Sequence, residues 1–145
     1  MPGIIVGIDG SVHSRRALEW AVSEAALRHA PLTVLTVNQA VAGYWGPVVY
    51  PSDQDLTRQI RETAQEETDS VLEKAGEESR PPSVTVRAVT GLPAEELLSA
   101  AAGADMLVVG SRGAGGFKRL LLGSVSTQVT HHAPCPVVVI PDNDV

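Results

Sequence analysis

Five short apolar runs, each bounded by turn residues, constrain the fold of this 145-residue chain more than any other feature. They are Ile4 to Ile8, Leu32 to Val37, Val84 to Val89, Met106 to Val109 and Val137 to Ile140. All but the third are close to continuously hydrophobic, the pattern of strands covered on both faces. The segments between them carry helical spacing. The first runs from about Ser14, read as its N-cap, to His29, with Ala17, Trp20, Ala21, Ala25 and Leu27 near one side. The second, about Asp53 to Glu78, sets Leu56, Ile60, Ala64, Val71 and Ala75 on a narrow stripe in a charged segment. Pro93 opens the third, which stops at Gly103, and the fourth runs from Ser124 to about His132, ahead of Pro134 and Pro136. Strand and helix alternate throughout. The expected fold is therefore α/β: a doubly wound, Rossmann-like parallel sheet of five strands in order 3-2-1-4-5, with four helices on both faces.

Length and composition bound the rest. The length suits one domain over residues 1–145 with a substantial core. At 43% apolar but only 3% aromatic, that core must be aliphatic. A net charge of −6 argues against a nucleic-acid binder, which needs a basic surface to displace counterions. One cysteine, Cys135, leaves no internal disulfide framework and suits a reducing compartment. With no leader-like start and no apolar stretch near the roughly 18 residues that span a bilayer, the expectation is a cytoplasmic protein without membrane contact. The least regular stretch, Asn38 to Ser52, holds Tyr44, Trp45 and Tyr50. Tyr44 and Trp45 are read equally as a lid over a ligand or as a dimer contact or loop packing.

The chemistry concentrates near the C-terminus. From Met106 to Pro141 there is no Asp or Glu, while Arg112, Lys118 and Arg119 fall inside that window. Gly110 ends the fourth run, Gly113, Gly115 and Gly116 follow, and Gly123-Ser124 opens the last helix. Glycines let backbone N–H groups approach an anion, and a helix N-terminus offers unpaired N–H groups with partial positive charge. Ser111, Ser124 and Ser126 add hydroxyls, and Arg112 adds a forked donor. Glycines alone would equally fit an ordinary loop before a helix start. The absence of acids, the arginine and the serine-led helix favour an anion site. The spacing fits neither GxxxxGK[ST] nor a dinucleotide fingerprint, and Gly7-Ile8-Asp9-Gly10-Ser11 after the first run lacks GxGxxG. With strand order 3-2-1-4-5, Asp9 faces the Gly110 loop across the crevice, either as a base or ribose contact or as a cap on the first helix. His131, His132 and Cys135 do not form a tetrahedral metal set. A phosphoacceptor receiver fold is disfavoured, since no acidic residue ends the third strand at Val89-Thr90 and no lysine follows the last strand.

The spacing Gly110-x2-Gly113-x9-Gly123-Ser124 resembles the nucleotide signature of the ATP-binding universal stress proteins. Similarity extends over nearly the whole chain: IIVGIDGS, Trp20-Ala21, GLPAEELL from Gly91, MLVVGSRG and HAPCPVVVI. The resemblance implies a five-stranded parallel domain, commonly dimeric through its last strand, that binds ATP or a related nucleotide (AMP or cyclic AMP) in stress responses. Carried over by position, Gly7, Ile8 and Asp9 would line the adenine and ribose, and Val37 would contact the base. Val109, Gly110, Ser111, Arg112 and Gly113 would follow ribose and phosphates, with Gly115 and Gly116 in the same loop. Gly123, Ser124, Val125 and Ser126 would close over the phosphates. Ser124 or Ser126 could ligate Mg²⁺ through them, with slow hydrolysis at most. The competing reading is a dimeric interaction module that uses no nucleotide.

Overall fold

The computed structural model describes residues 3–39, 41–42, 48–49, 54–111 and 124–141. In chain order the elements are β1 (Ile4–Ile8), α1 (Val12–Arg28), β2 (Leu32–Gln39), α2 (Gln54–Ala75), β3 (Val84–Gly91), α3 (Pro93–Ala100), β4 (Met106–Gly110), α4 (Ser124–His132) and β5 (Val137–Ile140). The sheet is parallel, in order β3-β2-β1-β4-β5, as the apolar runs predict. A short antiparallel ladder pairs Val41 with Val49 and Ala42 with Val48. No residue pattern marks this ladder inside the irregular stretch, whose Tyr44, Trp45 and Tyr50 lie outside the described residues.

Period-two alternation divides the core. Ile4, Val6 and Ile8 of β1 pack with Ala17, Leu18, Ala21, Val22 and Ala25 of α1 and with Ala64 and Val71 of α2. Ile5 of β1 joins Leu35, Leu107 and Val109 against Ala94 and Leu97 of α3 and Val129 of α4. Both faces of the central strands β1 and β4 are thus dry, which is why they read as unbroken apolar runs. Each fully buried aliphatic, such as Leu18 or Leu107, contributes about 1.5–3 kcal/mol by leaving water.

The helices depart from the expected phases in informative ways. The N-cap of α1 is Ser11, whose Oγ accepts from Ser14 N at 3.1 Å; Ser14 is buried in the first turn. Two serines three residues apart both fit a cap, and the tertiary position of the β1 turn decides between them. The buried face of α1 is Ser14, Ala17, Leu18, Ala21, Val22 and Ala25, so Leu27 faces solvent at 77% exposure instead of joining the stripe. His13 lies within α1 with its Nδ1 shielded from solvent. On α2 the stripe passes through Thr68, fully buried and satisfied by its own helix through a 2.8 Å bond to Ala64 O. Gly76, at φ 83°, ends that helix before a 3-10 turn over Glu77–Ser79. Helix α3 ends at Ala100, three residues short of the expected Gly103, which sits at φ 81° in the following turn.

At the α1–α2 seam, Arg15 Nη2 donates to Ser70 Oγ at 3.2 Å, and its Nε lies 3.5 Å from Glu19 Oε1. Glu67 lies in the same electrostatic neighbourhood. Burial raises its carboxyl above the ordinary range, Arg15 partly offsets this, and the Asp9 carboxylate adds to it. Because the folded-state value is the higher one, ionised Glu67 costs stability as pH rises through the interval between the unfolded and folded values. Glu67→Gln is therefore expected to raise the melting temperature slightly at pH 7. The gain should vanish below about pH 4, where the carboxyl is protonated in both states. A lower melting temperature at pH 7 would contradict this assignment.

Candidate functional site

The sheet order makes β1 the neighbour of both β2 and β4, so the connections after β1 and β4 leave to opposite faces. Val6 pairs with Val108, and continuing that register two residues sets Ile8 beside Gly110. The sequence-predicted residues Gly7, Ile8, Asp9, Val37, Val109, Gly110 and Ser111 therefore meet at one carboxyl edge. That is where a doubly wound sheet opens its ligand crevice. The first turn of α4 brings Ser124, Val125 and Ser126 to the same edge, because Ser126 Oγ donates to Ser111 O at 3.1 Å. Arg112, Gly113, Gly115, Gly116 and Gly123, together with Lys118 and Arg119, lie outside the described residues.

The turn after β1 is built from its own polar groups. Gly10 takes φ 83°, a conformation that favours glycine. Asp9 Oδ1 accepts from Ser11 N at 2.9 Å, and Asp9 N donates to Ser14 Oγ at 3.2 Å. Ser14 Oγ in turn donates to Ser11 O at 3.1 Å. Asp9 is exposed at the rim, so it both braces the turn and faces solvent beside the crevice. Ser14, which orients the Asp9 backbone, was not legible as a site residue, because in sequence it reads only as a helix cap.

The apolar members behave differently from one another. Gly7 is small because α3 needs the space: a Cβ there would lie 2.7 Å from Leu97 Cδ2. Val109 is buried, and Val37 and Val125 are half-buried against the same α3–α4 core. These three shape the floor of the edge. Ser124 is exposed at the first position of α4, whereas Ser111 and Ser126 are 5% and 2% exposed. The first turn of α4 contains no acidic residue, which keeps its N-terminal dipole uncompensated by side chains of that turn.

Two other features carry polar or titratable groups outside the sequence-predicted site residues. An open groove of about 290 Å³ lies between β3 and α3, lined by Leu35, Arg87, Val89, Glu96, Ser99 and Ala100. It is walled by strand and helix side chains, with the carboxylate of Glu96 from the first turn of α3 among them and no glycine in the lining. The His131 and His132 rings stand 6.4 Å apart, and burial followed by the charge of Asp105 pushes the Cys135 thiol up. Among the described residues no three His, Cys, Asp or Glu side chains come together, and no helix is long and apolar enough to cross a membrane.

Comparison with known proteins agrees with the fold. A Mycobacterium tuberculosis protein, universal stress protein Rv2005c, is 37% identical over 147 residues, covering 98% of this chain and 48% of its own length. The chain spans about half the length of the curated relatives it matches first. Among solved structures, a universal stress protein from Lactobacillus plantarum superposes with TM-score 0.71 at 23% identity, covering 96% of this chain and 97% of its own. A universal stress protein in complex with cAMP superposes with TM-score 0.67 at 26% identity, covering 97% and 96%. Residues 2–141 match the profile of the universal stress protein family, and the chain belongs to that family.

Proposed function

We propose that this chain binds an adenine nucleotide, ATP in the first instance, across the carboxyl edge between β1 and β4. Its role would be that of a nucleotide-dependent sensor or regulator in stress responses. One observation carries the reading. The strand-order reversal assembles the Asp9 turn, the Gly110–Ser111 strand end and the start of α4 at a single edge. The relative in complex with cAMP supports adenine as the base.

The two helix starts at this edge suggest which end of the ligand each takes. The start of α1 is occupied by its own caps, since Ser11 Oγ binds Ser14 N and Asp9 Oδ1 binds Ser11 N. Asp9, a carboxylate, would repel phosphate and suits a ribose hydroxyl or a base amine. The phosphates fall to the side of α4, where Ser124 is exposed at a helix start whose first turn carries no acidic residue. Magnesium, a hard cation that keeps oxygen ligands, would enter on the phosphate oxygens, with Ser124 as the protein hydroxyl beside it. Hydrolysis would need a positioned water and a base. The crevice's one carboxylate among the sequence-predicted site residues, Asp9, braces its turn at the nucleoside end. This favours a binding role over turnover.

The parent protein is expected to bind ATP, and Gly113→Ala and Gly123→Ala should each weaken binding by about tenfold or more, read by calorimetric titration. No measurable affinity in the parent would overturn the proposal and leave the nucleotide-independent interaction module standing.

The last strand supports the dimer that the resemblance implies. Leu107 N and Ser111 N bond to Pro136 O and Ile140 O. The backbone groups of Val137 and Val139 therefore point out of the sheet edge. All four residues of β5 are half-buried, an apolar edge suited to pairing with a second copy. Val139→Pro removes one outward N–H at a position where an edge strand tolerates proline. It is expected to shift the protein from dimer to monomer in sedimentation velocity; an unchanged dimer would place the contact elsewhere.

A further inference from the structure

We propose that Ser126 is a positioning residue that fastens the first turn of α4 to the end of β4, leaving Ser124 as the hydroxyl that serves an anion in that turn. Ser126 Oγ donates to Ser111 O at 3.1 Å, and the two residues are 2% and 5% exposed. A serine hydroxyl has one proton to donate, and a phosphate oxygen can only accept. While that proton is held by the Ser111 carbonyl, the Ser126 hydroxyl has none to offer an anion. Ser124, two residues earlier, is exposed at the first helical position.

The anchor is itself fixed. Ser111 N donates to Ile140 O at 2.9 Å, extending the β4–β5 ladder by one bond beyond the Gly110–Ile140 pair. A line of hydrogen bonds thus runs from β5 through Ser111 into α4. Ser111 and Ser124 flank the glycine-rich stretch in the sequence, so this line joins the described residues on its two sides. Ends held in place before a ligand arrives lower the ordering cost of binding. The part of the inference that concerns the anion rests on the nucleotide reading; the fastening does not.

Hydrogen exchange in nucleotide-free protein separates the two parts. Ser126→Ala leaves the buried Ser111 carbonyl without this donor. Exchange of the Ser111 amide and of the α4 amides is expected to quicken about tenfold. Ser126→Thr, which keeps the hydroxyl, should restore slow exchange. Should Ser126→Ala not fold, Ser126→Cys, a near-isostere with a weaker donor, is expected to fall between parent and full loss. Ser124→Ala should leave exchange at the parent rate but weaken ATP binding. Parent-like exchange in Ser126→Ala or Ser126→Cys overturns the fastening. If Ser126→Ala also loses ATP affinity while exchange stays parent-like, the hydroxyl acts directly on the ligand. A parent that binds no ATP removes the anion role and leaves the exchange rates to decide the fastening.

Discussion

The parallel pairing of β1 with both β2 and β4 is the constraint on which the rest of the molecule depends. The crossover helices that parallel pairing requires cover β1 on both faces, so Ile4, Val6 and Ile8 pack one way while Ile5 packs the other. The same placement sends the chain to opposite faces after β1 and after β4. Two loops consequently diverge at one edge, and the space between them cannot be filled by the sheet's own connections. The crevice is a by-product of topology before it is a site for anything.

Polar groups at that edge are arranged to hold backbone in place. On the β1 side, Asp9, Ser11 and Ser14 satisfy one another and brace a turn that Gly10 makes sterically feasible. On the β4 side, Ser111 lies between Ile140 and Ser126. The contrast lies in charge. The first turn of α1 follows a carboxylate, whereas the first turn of α4 contains no acid and follows a stretch bearing Arg112, Lys118 and Arg119. An asymmetric ligand, neutral at one end and anionic at the other, matches that asymmetry.

Much of this was legible in the sequence, for a physical reason. Strands covered on both faces must be apolar at consecutive positions, so β1, β4 and β5 appear as runs with nearly the observed bounds. The edge strand β3 is harder to see, because Thr85 and Arg87 face solvent. Helix phase is less legible still. On α1 an alanine-rich segment offers several apolar stripes of similar quality, and contact with the sheet selects the one through Leu18 and Val22 and leaves Leu27 outside. At the site, glycine spacing and the absence of acids are properties of the chain and can be read from it. The bond from Ser126 to Ser111 joins residues 15 apart and exists only once β4 and α4 are packed. Likewise, the close approach of Leu97 to Gly7 appears only once α3 is packed on the sheet.

The central claim, that the β1–β4 edge is where an adenine nucleotide binds, is tested most directly by an amide chemical-shift titration of the labelled protein with ATP. The account predicts saturable shifts concentrated at Gly7 to Ser11, Val37, Gly110, Ser111 and Ser124 to Thr127, with Arg87, Glu96 and Ser99 unmoved. Shifts centred on the β3–α3 groove, or no saturable shifts at all, would contradict it.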